Sequence, residues 1–365
     1  MEPITHFLYG ACTSRAGFTR KTALATVTMT LAAEAPDADM LAYFWGSAVG
    51  FTHHRGFTHT VFGIPVVSAF VVVFVYVCYR LYRKWRPLDP HPPASNRVPL
   101  QPRWGLLYGL ACLAGYSHLL LDFTNDYGIR PFFPVWNHWV AWDTVYIIEP
   151  LILVFLIAGL LLPALFGLVN QEIGARTRGP KGRGGAITAL VLVAILWGVR
   201  DYQHRRAIAA MEAVNFHDRA ALRLGAFPYD TNPFKWHGVA ETENTYETVR
   251  VDSLTPEVDP QGRELTYYKP QYTDVVRAAK ASYLGRAYVD WARFLQVEVE
   301  RRDSPVHYVV TFRDLRFAYP ERRGTPLGAY VILDEKLNVV SQGFAARNAI
   351  KDRLESSNPE DRKQP

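Results

Sequence analysis

The sequence predicts a membrane α-helical bundle of about four to six helices, followed by a small extramembrane α+β domain. Three observations lead to this fold class. Long apolar runs are confined to residues 1–200, whereas residues 201–365 have the composition of a soluble protein. The short connections between the apolar runs are basic, which is typical of cytoplasmic loops. The second half contains short runs in which apolar and polar residues alternate, as they do in strands.

The membrane bundle is predicted from its apolar runs. A helix needs about 20 apolar residues to cross the hydrocarbon core of a bilayer. Two weaker runs, residues 7–12 and 23–35, come first and predict a short helical hairpin packed against the bundle. The candidate spans are residues 60–82, 104–122, 145–169 and 185–199, of which the last is short and depends on its flanks.

Basic residues predict which span ends face the cytoplasm. Residues 83–103 and 170–184 are rich in Arg and Lys, and each contains a single acidic residue. The positive-inside rule places these two loops in the cytoplasm. Residues 36–59 and 123–144 then face the outside, as does the C-terminal domain if residues 185–199 cross the membrane. Because the basic loops account for much of the net charge of +6, we expect no nucleic-acid partner.

Beyond residue 200 the pattern changes. Residues 201–228 predict an amphipathic linker helix near the membrane surface, and residues 229–355 predict an accessory α+β domain. Its expected elements are a helix over residues 274–294 and strands over residues 246–251, 296–301, 306–313, 328–334 and 337–343. The polar residues 356–365 predict a disordered tail.

Side chains that bind metals recur in four places within the first 125 residues, and the predicted topology brings all four to the external face. Imidazole and carboxylate ligands without thiolate suit zinc, manganese or iron in a hydrolytic site, with one or two ions. Such a site lowers the pKa of a bound water toward 7. The predicted ligands are His6, Asp37, Asp39, His54, His59, His118 and Asp122.

Two further residues are predicted to take part in catalysis. Arg55 lies among the histidines and could hold an anionic group such as a phosphate, or could pair with an aspartate and orient the motif. Glu149 begins an apolar run and could be a general base, a partner of a ligand histidine, or an interfacial charge. Simpler interpretations stay open for the ligands as well, such as helix packing for His118 and helix capping for Asp37. Membership of the site is left open for His53, Asp126 and Asp143.

Three motifs in chain order resemble the YdjM-like family of membrane-bound metal-dependent hydrolases. They are residues 36–39 (PDAD), 54–59 (HRGFTH) and 118–122 (HLLLD), and the resemblance extends over residues 1–200. One departure is Thr60, where the family often has Ser. The resemblance implies an integral protein of a bacterial-type inner (plasma) membrane with a metal-dependent hydrolase site.

Together these features predict a membrane hydrolase in which a metal-activated water attacks a phosphoester or another ester, with a lipid-derived substrate as one candidate. The expected partners are the lipid bilayer and this substrate. Two other classes of protein are kept as alternatives. A metal-ion or proton transporter needs ligands along a path through the membrane. A non-catalytic membrane protein uses a closed four-ligand metal site to clamp its helices.

Overall fold

The computed structural model describes most of the chain in two compact units. The first unit comprises Met1–Asp39, Arg55–Tyr202 and Pro228–Pro233, and the second comprises Met40–His54, Gln203–Phe227 and Phe234–Pro365. The structure describes residues 1–86, 100–172, 182–216, 220–259, 262, 264–303, 306–320 and 327–344. The predicted tail, residues 356–365, lies outside these ranges.

Helices form most of the first unit, and helices and strands form the second. In chain order the α-helices are α1 (Pro3–Arg15), α2 (Ala25–Glu34), α3 (Ser47–His53), α4 (Gly63–Trp85), α5 (Trp104–Thr124), α6 (Pro150–Glu172), α7 (Arg183–Glu212), α8 (Asp274–Ala281) and α9 (Tyr283–Trp291). The strands are β1 (Arg223–Pro228), β2 (Lys235–Glu241), β3 (Thr245–Asp252), β4 (Glu257–Val258), β5 (Leu265–Tyr268), β6 (Leu295–Asp303), β7 (Val306–Asp314), β8 (Ala329–Asp334) and β9 (Val339–Phe344).

Among the described residues, three helices are long and apolar enough to cross a membrane: α4, α5 and α7. The apolar part of α6, Pro150–Phe166, is shorter. This helix starts five residues later than predicted, at a proline, which suits the first turn of a helix because it lacks an N–H to satisfy. The predicted helical hairpin is present as α1 and α2.

The helix α7 differs from the prediction because it runs without a break through residue 200, where a separate linker helix was expected to begin. No glycine or proline lies between residues 199 and 212, so nothing in the sequence ends the helix there. The end of the predicted linker, residues 223–228, is the strand β1 instead.

Close packing of α1 on α2 depends on Gly10. A Cβ at this position would lie 2.9 Å from both the Cβ of Ala33 and the carbonyl oxygen of Met29. Glycine at position 10 therefore allows the backbones of α1 and α2 to approach each other closely. Small residues play this part in many helix pairs of membrane proteins.

We expect Gly10→Ala to lower the free energy of unfolding by about 1–3 kcal/mol, because the added methyl group overpacks the α1–α2 contact. The matched control is Gly109→Ala on α5, where a Cβ meets nothing within 4 Å. Helix propensity alone makes that exchange neutral or stabilising by up to about 1 kcal/mol. Thermal unfolding in detergent compares the two variants, and equal unfolding temperatures would contradict the role of Gly10.

The second unit is built on two antiparallel sheets. One has five strands, in which β2 pairs with β3, and β3 pairs with both β4 and β5. The other has the order β6-β7-β8-β9. The α+β class and the five predicted strands are confirmed, whereas β1, β2, β4 and β5 were not predicted.

The helix predicted over residues 274–294 is two helices, α8 and α9. The break falls at Ser282, whose backbone is extended (φ −63°, ψ 166°) and whose hydroxyl accepts a hydrogen bond from the N–H of Gly285. Ser282 is therefore the N-cap of α9, and serine is among the residues most favoured at this position.

Candidate metal centre

Two imidazole nitrogens and two carboxylate oxygens converge in the first unit. They belong to Asp37, His59, His118 and Asp122, and these ligand atoms all lie within 4.8 Å of one another. The Nε2 atoms of the two histidines are 3.1 Å apart. Asp37 Oδ1 lies 3.2 and 3.6 Å from them, and Asp122 Oδ2 lies 3.6 and 3.5 Å from them. Neighbouring ligands of a tetrahedral zinc ion, with bonds of about 2.0–2.1 Å, are separated by about 3.3 Å. The observed spacing therefore fits a bound metal ion.

Three elements bring these ligands together. His118 and Asp122 are one turn apart on α5 and so share a face of that helix. His59 ends the 3-10 helix Phe57–His59, directly before α4. Asp37 lies in the first turn of the 3-10 helix Ala35–Trp45, which follows α2. The centre thus lies near the C-terminal end of α5 and near the N-terminal end of α4.

Each histidine is oriented by its other ring nitrogen. His118 Nδ1 lies 2.7 Å from the carbonyl oxygen of Ala33, which can only accept a hydrogen bond. His59 Nδ1 lies 3.0 Å from Asp39 Oδ2. Both Nδ1 atoms therefore carry the proton, and both Nε2 lone pairs point into the centre. Such outer partners fix the tautomer of a ligand histidine and raise its basicity.

Asp39 contacts His59 at Nδ1, the ring nitrogen that points away from the four converging atoms, and its predicted role as a ligand stays a prediction. Its Oδ2 atom also accepts hydrogen bonds from the backbone N–H of Arg55, at 2.8 Å, and from the hydroxyl of Thr58, at 3.2 Å. Thr58 Oγ1 lies 3.1 Å from His59 Nδ1 as well. The sequence analysis did not single out Thr58, although it lies within the HRGFTH motif.

Arg55 is an internal partner of Asp122. Its Nη2 atom donates to Asp122 Oδ1 at 2.8 Å, and its Nη1 atom donates to the carbonyl oxygen of Gly128 at 2.7 Å. The guanidinium lies 4.5 Å from the ring centroid of Tyr127, and Arg55 is only 3% exposed. Its backbone is left-handed, with φ 53°, an uncommon conformation for a residue other than glycine. These contacts fix one carboxylate oxygen of Asp122.

The other oxygen of Asp122 points to the centre. Asp122 Oδ2 is buried and makes no hydrogen bond with any residue that the structure describes. The amino group of Met1 contacts Oδ1, on the opposite side of the carboxylate. Burying a carboxylate oxygen without a hydrogen bond costs free energy unless a positively charged group lies beside that oxygen. The donor set therefore fits a divalent cation, which would lie beside Oδ2.

Two of the ligands outside the spans have shifted pKa values. Burial alone would raise the pKa of Asp37, but its hydrogen bond with His59 and the nearby His118 outweigh burial and lower the pKa. Burial alone would lower the pKa of His59, but its contacts with Asp37 and Asp39 outweigh burial and raise the pKa. Both shifts arise from the attraction between the His59 imidazole and the carboxylates around it, and a metal ion bound at Nε2 would compete with a proton for that nitrogen.

His6, also a predicted ligand, stacks on His118 with a ring-centroid distance of 3.7 Å. Its Nε2 atom lies 3.5 Å from Asp122 Oδ1, and its side chain is fully buried. Burial, followed by the effects of His118 and the amino group of Met1, lowers the pKa of His6 to about 3. The imidazole is therefore neutral, as a metal ligand must be, and it lies beside the four converging residues.

Glu149, predicted as a catalytic residue, is not among the four converging residues. Glu149 is 4% exposed and pairs with Arg200 on α7, with Oε2 and Nη2 3.7 Å apart. Burial raises the pKa of Glu149, although Arg200 opposes that shift. His54 belongs to the second unit. The roles predicted for Glu149 and His54 stay predictions.

Asn125 supports the centre through the turn after α5. Its Oδ1 atom accepts a hydrogen bond from the backbone N–H of Tyr127 at 2.9 Å, and its Nδ2 atom lies 3.5 Å from Asp122 Oδ1. The turn thereby places the Tyr127 ring against Arg55.

The fold and the centre define a class of protein: a helical membrane protein with a buried His/Asp group that could hold a metal ion, joined to an α/β domain. The chain belongs to the YdjM inner membrane protein family, whose sequence model matches residues 1–207. Residues 274–348 match the model of the YfhP C-terminal alpha/beta plait domain. No curated protein and no solved structure matches the chain. The family that the three motifs resemble is therefore confirmed.

Proposed function

We propose that this protein is a metal-dependent hydrolase of the membrane, acting on a phosphoester or another ester, with a membrane lipid as the candidate substrate. The supporting observation is the convergence of four side chains: the Nε2 atoms of His59 and His118 are 3.1 Å apart, and an oxygen of Asp37 and one of Asp122 each lie 3.2–3.6 Å from both of them. Zinc is favoured by the imidazole and carboxylate donors, and manganese or iron suits the same set. In the topology that the basic loops predict, the centre and the C-terminal domain face the outside.

In this proposal the protein supplies a preorganised cation site. A bound cation provides Lewis acidity and lowers the pKa of a water toward 7. The two carboxylates, Asp37 and Asp122, neutralise its charge inside a buried site. Arg55 holds Asp122 in place, because its Nη2 and Nη1 atoms are engaged by Asp122 and Gly128. Contact between Arg55 and an anionic substrate remains a prediction.

Solvent and substrate would reach the centre past Asp37. Its side chain is 12% exposed, whereas those of His59, His118 and Asp122 are at most 1% exposed. A catalytic metal site keeps one position open, which protein ligands do not fill. Of the four converging residues, Asp37 is therefore the one that we expect to yield a position to water.

A structural metal clamp is the second candidate function, because four protein donors are also the number found in closed structural sites. A transporter is less consistent with the structure. Its ligands would follow a path across the bilayer, but these four ligands meet in one place near the ends of α4 and α5.

The first test is the metal content of the purified protein. We expect about one zinc ion per chain by elemental analysis, and a loss of most of it in His118→Ala, because one of four ligands is removed. His138→Ala is the control, since His138 is exposed. Full metal content in His118→Ala would contradict the proposed centre.

The second test separates the hydrolase from the clamp. Metal-loaded protein is reconstituted in vesicles that contain fluorogenic phosphoester and carboxylic-ester lipids. The hydrolase proposal predicts release of product by the wild type and none by His118→Ala. Stoichiometric zinc without hydrolysis of any of these lipids would favour the structural clamp.

A further inference from the structure

The two motifs of the metal centre are joined by a segment that belongs to the other unit. Asp39 and Arg55 lie in the first unit, whereas Met40–His54, the segment between them, belongs to the second. Its two ends meet, since the backbone N–H of Arg55 donates to Asp39 Oδ2 at 2.8 Å. Asp39 contacts His59, and Arg55 contacts Asp122. The two residues that flank the segment, Asp39 and Arg55, therefore each hold the side chain of one predicted metal ligand in position.

Within the second unit, this segment is anchored by one aromatic side chain. Phe51 lies on α3 and is 5% exposed. Its ring centroid lies 5.3 Å from that of Trp291, in a T-shaped contact, and 5.7 Å from that of Tyr288. Phe344 is closer still, at 4.9 Å. Phe51 thus occupies an aromatic pocket formed by α9 and β9 of the α/β domain.

The contact between α3 and the domain is close elsewhere as well. A Cβ on Gly343 of β9 would lie 3.3 Å from the hydroxyl oxygen of Ser47, the first residue of α3. Residues 40–52 contain no charged side chain, so no ion pair can hold this stretch. Phe51 is a large part of this attachment, because buried aromatic side chains contribute much of the packing energy of a contact.

We propose that Phe51 is a positioning residue through which the C-terminal α/β domain maintains the geometry of the metal centre. The inference rests on the proposed function, because it concerns the same centre. The domain holds the segment, and the ends of the segment hold His59 and Asp122 through Asp39 and Arg55.

The test measures zinc affinity in the full-length protein in nanodiscs, by competition with a chromogenic chelator. We expect Phe51→Ala to weaken zinc binding by roughly 10-fold, at the lower end of the effect of losing a hydrogen-bond partner of a metal ligand, because Phe51 acts on the ligands only through Asp39 and Arg55. Phe51→Leu retains an apolar side chain in the pocket and should restore most of the affinity. A structural role unrelated to the centre would leave zinc affinity unchanged in both variants.

Val249→Ala is the control for general destabilisation. Val249 is 1% exposed in the five-stranded sheet, in a core cluster that includes Trp236 and Met211. This variant should lower the unfolding temperature and leave zinc affinity as it is in the wild type. Wild-type affinity in Phe51→Ala, or an equal loss in Val249→Ala, would overturn the inference. A wild-type protein that binds no zinc is a distinct result, which overturns the proposed function itself.

Discussion

Asp122→Asn is expected to abolish stoichiometric zinc binding and to destabilise the helical unit at the same time. The amide cannot supply the anionic Oδ2 that faces the two imidazoles. It also leaves the Arg55 guanidinium, 3% exposed, without its carboxylate partner. Breaking a buried ion pair on one side costs about 3–5 kcal/mol. Elemental analysis measures the first effect, and thermal unfolding in detergent measures the second.

The double variant Asp122→Asn/Arg55→Met separates these two effects. Methionine fills much of the space of arginine and removes one of the two positive charges that face Asp122, the other being the amino group of Met1, so part of the lost stability should return. Zinc binding should stay absent, because the ligand is still missing. If stability returns together with zinc, Asp122 is not a ligand, and its place in the centre is only that of an ion-pair partner for Arg55.

The sequence predicted the residues of the centre better than their separate roles. His118 and Asp122 were both predicted as ligands, and the structure has them one turn apart on one face of α5. Asp39 was predicted as a ligand alongside Asp37, since spacing does not tell which of two nearby carboxylates faces which ring nitrogen of His59. That distinction depends on His59, whose Nδ1 atom faces Asp39 while its Nε2 atom faces the centre.

Long-range packing accounts for what the sequence did not predict. The spans and the strands β3 and β6–β9 have clear hydrophobic patterns, and their existence was predicted. The segment Met40–His54 has no charge and no pattern that shows which unit it joins. Its membership follows from the pocket around Phe51, which is formed by α9 and β9, more than 200 residues away in the sequence.

Asp314→Ala is expected to destabilise the α/β domain by about 3–5 kcal/mol, because it leaves a buried arginine without its partner. The Asp314 carboxylate is fully buried and lies 2.7 Å from Arg316 Nη2. It also accepts hydrogen bonds from the backbone N–H groups of Arg293 and Arg316, at 2.8 and 3.0 Å. Amide hydrogen exchange of β7 and β8 in the full-length protein measures the loss.

The control for this variant is an exposed ion pair of the same domain. Asp274 and Arg277 form a pair at 2.9 Å, with both side chains 75% exposed. Asp274→Ala should change stability by no more than about 0.5 kcal/mol, because exposed pairs contribute little. Equal exchange rates in the two variants would show that burial of the Asp314–Arg316 pair has no energetic consequence.

Asp314 also makes the stability of the α/β domain depend on pH. Burial alone would raise the pKa of Asp314, but Arg316 outweighs burial and lowers it. A lowered pKa in the folded state means that the unfolded chain binds more protons as the pH falls below about 4. This contribution to stability is therefore present above about pH 4 and is lost as the pH falls further, and Asp314→Ala should remove that part of the pH dependence.

The same pair supports the pocket that receives Phe51. The Arg316 guanidinium lies 4.6 Å from the Trp291 ring centroid, and its Nη2 atom donates to the carbonyl oxygen of Trp291 at 3.1 Å. The backbone N–H of Asp314 donates to the Tyr288 hydroxyl at 3.0 Å. Loss of Asp314 should therefore loosen two of the three aromatic residues around Phe51, and zinc affinity should fall together with the exchange protection of β7. Wild-type zinc affinity in a domain that has lost this protection would show that the metal centre does not depend on the α/β domain.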